Sequence, residues 1–161
     1  MSWKNQRRIN VAMVSLSWLS ILFFGKRNIK RFLPASIFIT LIESINVQIG
    51  KNRKWWVFYN RPNSFISGEF PFNIGPFLIG SMWILRWTYG NFTRFIMLNA
   101  MVDGAFVLVM SILLKRMKIF TLVRLNKIQF FLYFFLKAFL LYGFQFLFEY
   151  GRKFTDRNRT I

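Results

Sequence analysis

The chain has 161 residues, 55% hydrophobic and 20% aromatic, with 22 Phe, and its 23 Lys and Arg against 5 Asp and Glu give a formal net charge of +18. That composition is too apolar for a soluble domain of this size and points to a membrane protein. With no Cys and no His, disulfides, thiol catalysis, histidine ligation of zinc or haem, and imidazole acid–base chemistry are excluded.

The first apolar run, Ile9 to Phe24, follows Lys4, Arg7 and Arg8 and is closed by Lys26, Arg27, Lys30 and Arg31. Its end, Phe23-Phe24-Gly25-Lys26, lacks the small-x-small residues of a signal-peptidase site, so it reads as a retained, short helix over 9–24. The second run, 32–49, opens with Pro34 in its first turn and stops at Gly50 before Lys51, Arg53 and Lys54. Along it Ser36, Thr40, Glu43 and Ser44 recur at spacings of four, seven and eight, which puts them on one stripe of an otherwise apolar helix. Such a stripe faces protein.

Residues 51–70 mix Trp55, Trp56, Tyr59, Arg61, Pro62 and Gly68, a pairing of amphipathic aromatics with turn residues that predicts an interfacial segment. The third run, 71–89, carries Gly75, Pro76, Gly80 and Ser81, residues that permit a kink or close helix contact. Trp83, Trp87 and Tyr89 form an aromatic belt at its far end, where Arg86 can snorkel. The fourth run, 92–114, has Asn99 and Asp103 four residues apart on one face beside Gly104. The fifth, 128–150, is the most Phe-rich and carries Lys137, Gln145 and Glu149 along one broad face.

Together these runs predict an all-α integral membrane bundle of about five transmembrane helices in one domain. The cations lie between the runs and form no single basic face, so they suit anionic lipid head groups and not nucleic acid. Of the 23 Lys and Arg, all but Lys137 flank the spans, twelve on the side of the amino terminus and ten on the other. That small bias sets the amino terminus inside and the carboxy terminus outside the cell membrane.

Glu43, Asp103 and Lys137 each fall near the middle of a different span, where an ionisable side chain is costly and pairs or serves a pathway. With Thr40, Asn99 and Gln145 they make a candidate intramembrane polar cluster. The first reading is a salt-bridged seam that fixes helix pairing in a non-enzymatic membrane component, one that assembles with itself or with another membrane protein through the stripes of the second and fourth helices. The second is a small proton- or cation-coupled transporter using the same carboxylates. The third is a lipid-modifying enzyme in which Glu43 or Asp103 acts as general acid or base. No Walker-type loop or catalytic triad accompanies it, and no cofactor or metal is expected. Glu69, Glu149 and Asp156 read as solvated acids at membrane edges.

Lys54-Trp55-Trp56-Val57-Phe58-Tyr59, Ser67-Gly68-Glu69-Phe70-Pro71-Phe72, the run from Gly75 to Leu85, and Leu140-Leu141-Tyr142-Gly143-Phe144-Gln145 resemble a group of small multi-pass membrane proteins of Bacillus-type, low-GC Gram-positive bacteria. The resemblance covers most of the chain after the first helix. It implies an integral membrane protein, and the group carries no assigned activity and no site residues to transfer.

Overall fold

The computed structural model describes residues 3–58, 69–109, 112 and 120–158. Five helical units follow one another among them, and the fold is all-α. The first, α1, is Trp3–Ser20, prolonged by a 3-10 turn at Ile21–Phe23. Gly25, with φ of +82°, takes the left-handed conformation that a residue with a side chain resists, and so separates α1 from α2, Lys26–Asn52. The third unit, α3, is composite: α-helical Glu69–Phe72, a π-helical turn over Asn73–Phe77, and α-helical Leu78–Thr88. Gly90, at φ of +99°, turns the chain into α4, Phe92–Val109. The last, α5, is Lys127–Asn158.

Helix bounds differ from the apolar runs because polar residues at a membrane edge continue a helix without belonging to its apolar stretch. Thus α2 starts at Lys26, not at residue 32, and Pro34 lies inside the helix instead of in its first turn. Likewise α5 runs past 150 to Asn158. Among the described residues three helical stretches are long and apolar enough to cross a membrane: Lys26–Gly50, Phe92–Val109 and Lys127–Lys153. The charged amino-terminal half of α1 and the division of α3 by its π turn keep those two out of that class. The end of the fourth run, 110–114, lies outside the described residues apart from Ile112.

The π turn has a cause in sequence. Pro76 has no N–H, so the carbonyl four residues before it loses its ordinary donor, and a wider turn supplies one from the next residue along. Gly75 in the same turn lets α1 approach: a Cβ there would lie 3.1 Å from Val14 Cα. Trp18 then donates its indole N–H to the Ile74 carbonyl at 3.0 Å, and Trp83 donates to Ser20 Oγ at 3.0 Å.

The sequence reading contained no strand, and the structure has one small ribbon, with β1 (Trp56–Phe58) antiparallel to β2 (Phe120–Leu122). Aromatic and β-branched residues favour that geometry. Residues 51–58 of the expected interfacial segment thus end a helix and enter a ribbon, while Tyr59, Arg61, Pro62 and Gly68 lie outside the described residues. Neighbouring helices alternate in direction. The ends of α1, α3 and α5 meet the starts of α2 and α4, as the contacts of Arg86 with the Phe23 carbonyl and Arg31 with Glu149 show.

The main packing partners of α2 are α3 and α5, and those of α4 are also α3 and α5. A core of Phe24, Phe32, Ile39, Ile79, Met82, Leu85 and Phe95 fills one half of the bundle. Val47, Val107, Phe130 and Phe134 fill the other. Between the halves lies the polar layer.

Candidate functional site

Antiparallel packing of α2 against α5 brings Glu43 opposite Lys137. Both are buried, at 2% and 5% exposure. Lys137 Nζ donates to Glu43 Oε2 as a salt bridge, and Tyr133 Oη donates to the same oxygen at 3.3 Å. Tyr133 precedes Lys137 by four residues, so both occupy one face of α5. The ammonium stands 3.4 Å from the Tyr133 ring centroid and 4.2 Å from that of Phe134. Ring faces carry negative charge and stabilise a desolvated cation by about 2 kcal/mol each at best. These contacts offset the several kcal/mol per ion that burial costs.

Trp55 fastens the site to the ribbon. Its ring meets Tyr133 edge to face at 6.1 Å, and its carbonyl accepts from Val123 N–H at 3.0 Å. Tyr133 and Phe134 escaped the sequence reading because an aromatic in a Phe-rich helix carries no signal of its own. The spacing of four between Tyr133 and Lys137 was the available clue.

Asp103 enters from α4 on the other side of Lys137. It is half-buried and, among the described residues, makes no hydrogen bond or ion pair. It lines a cavity of about 220 Å³ that also touches Lys137, Asn99, Ser81 and Gly80. Asn99 is buried and donates its Nδ2 to the Phe95 carbonyl at 2.8 Å. Thr40 is half-buried and bonds only back along its own helix, Oγ1 donating to the Ser36 carbonyl at 2.7 Å.

Gln145 does not belong to this cluster. It shares the α5 face with Lys137 but sits eight residues on, about 12 Å along the axis. There it is fully buried and donates to Glu149 Oε1 at 2.9 Å and to the Arg31 carbonyl at 3.2 Å. Glu149 in turn is no free surface acid: Arg31 donates Nε to Oε1 at 2.5 Å and a second N–H to Oε2 at 2.9 Å. The Arg31 guanidinium also lies over the Phe32 and Tyr89 rings, at 5.1 and 5.2 Å. Among the described residues there are therefore two separate ionic sites between α2 and α5, one at mid-depth and one at an end. The side chains of Glu69 and Asp156 lie outside what is described.

The two stripes expected to face a partner are largely occupied within the chain. Ser36, Glu43 and Asn99 are buried, and of these stripes only Ser44 is exposed. Comparisons with models of known protein families, with curated proteins and with solved structures find no match.

Proposed function

We propose that the protein is a multi-pass component of the cell membrane that works by association with other membrane-embedded helices and not by catalysis. The observation that carries this reading is the buried Glu43–Lys137 bridge. The costliest charges in the chain are spent on each other, with Tyr133 completing the pair, as suits a device that fixes helix packing. On the same reading the amino terminus is cytoplasmic and the cationic ends bind anionic head groups. The sequence resemblance groups the chain with the small membrane proteins of Bacillus-type bacteria.

The outer face of α4 is one of the apolar surfaces on offer. Met97, Met101 and Leu108 follow one another at helical spacing and are exposed. Against lipid or against a second helix they serve equally, and Met adapts to irregular partners. Single-cysteine variants at Met97 and Met101, cross-linked in native membranes, test the proposal. An adduct at twice the mass of the chain identifies a self-assembly, and a discrete adduct of another mass a different partner. Unreacted monomer at both positions, together with proton or cation flux in liposomes, contradicts it.

One observation favours the transporter reading, namely the unpartnered Asp103 carboxylate beside a cavity. That reading predicts flux that Asp103→Asn abolishes without lowering the amount of folded protein. The enzymatic reading gains no such support, since Glu43 is engaged by Lys137 and, among the described residues, Asp103 is the carboxylate that lines the cavity.

A further inference from the structure

We propose that the cavity between α3, α4 and α5 is a binding site for a small organic cation, a primary amine carrying a short apolar or aromatic body. Among the described residues that line it, Asp103, Asn99 and Ser81 all have acceptor capacity left. Asp103 offers a carboxylate with no partner among the described residues. Asn99 gives one N–H to the Phe95 carbonyl, which leaves its amide oxygen and a second N–H. Ser81 donates its hydroxyl proton to the Leu78 carbonyl at 2.8 Å, which leaves its lone pairs. Lys137, the strong donor among the described lining residues, is engaged by Glu43. An ammonium group has three donors and no acceptor and complements such a set.

Charge points the same way. Two carboxylates face one ammonium across this layer: Lys137 is bonded to Glu43, and Asp103, on its other side, makes no ion pair of its own among the described residues. A second cation beside Asp103 balances the layer. The rest of the wall is apolar, with Phe77 and Phe106 among its residues, and ring faces also attract cations.

Size restricts the ligand further. The cavity is about 220 Å³. A dry cavity of about 150 Å³ holds benzene, so an aromatic ring with a short aminoalkyl arm fits and a drug-sized molecule does not. Asp103 also lies within the apolar stretch of α4, about 16 Å along the axis from Phe92 and about 9 Å from Val109, away from the amines of lipid head groups. The site does not depend on the partner-binding role, since a packing component can hold a ligand as well.

Phenethylamine titrated calorimetrically into detergent-purified full-length protein tests the proposal, with 2-phenylethanol as a neutral analogue of matching shape. Two variants separate the site from the micelle. Asp103→Asn removes the charge, and Gly80→Leu places a side chain where a Cβ meets nothing within 4 Å beside the cavity. The expected result is saturable one-to-one binding of the amine, weakened about tenfold or more by Asp103→Asn and in the alcohol, as loss of a charge-assisted hydrogen bond implies, and lost in Gly80→Leu. Equal binding by the unmodified protein and both variants, an alcohol as good as the amine, or no saturable binding overturns it. Should either variant fail to fold, the comparison of amine with alcohol on the unmodified protein decides.

Discussion

Tyr133 and Glu149 show how differently one kind of contact behaves at two depths. Tyr133→Phe removes the hydrogen bond of 3.3 Å to a carboxylate that keeps its lysine, so unfolding in detergent should become easier by about 1 kcal/mol. Glu149→Gln removes a two-pronged arginine pair, yet the Arg31 side chain is 44% exposed, and water already screens it. Its loss should be about 1 kcal/mol or less and should shrink as salt is added, whereas the Tyr133→Phe effect should not respond to salt. Equal salt sensitivity in the two variants would place both contacts in the same environment. Glu43, Asp103 and Lys137 stood out in the sequence because charge at mid-span is conspicuous whatever the fold. Which of them pair did not, because periodicity gives each helix its faces and leaves the order of helices open. Gln145 was drawn into the wrong site for the same reason: a shared face says nothing of the distance along the axis.

At the scale of the element, α3 has the most to say. Gly75 and Pro76 were readable as residues that bend a helix or admit a neighbour, and they do both within one π turn. The identity of the neighbour, α1, was not readable. Because the nearest atom to a Cβ on Gly75 is backbone, at 3.1 Å, a side chain there has to displace α1. Gly75→Leu should cost about 1–3 kcal/mol, as overpacking does, and should abolish cross-linking by a short bismaleimide between cysteines replacing Trp18 and Ile74. Undiminished cross-linking would mean that α1 rests on other contacts. The ribbon is not legible in the sequence because Trp56-Val57-Phe58 and Phe120-Thr121-Leu122 are too short to show a strand pattern and lie far apart in the chain, with Val57 opposite Thr121. Similarly, hydropathy located the apolar cores of α2 and α5 but not their ends, since lysine and arginine extend a helix into the head-group region without penalty.

For the whole molecule, an alternating arrangement of five helical units places the two termini at opposite ends of the bundle. Tags at either terminus should be labelled from opposite sides of the membrane in intact cells, the amino-terminal one from within. Labelling of both from one side would remove one of the five units from the membrane. On the proposed reading, mid-depth charge holds this bundle together. The most direct test is a double-mutant cycle of Glu43→Gln and Lys137→Met, following unfolding in detergent and, in parallel, proton and cation flux in liposomes. Each single change strands a buried partner and should cost about 3–5 kcal/mol. The double variant should be no worse than either single one, and flux should be absent throughout. Small, additive losses of stability, with a flux that disappears in Glu43→Gln, would contradict the account and make the pair part of a transport pathway.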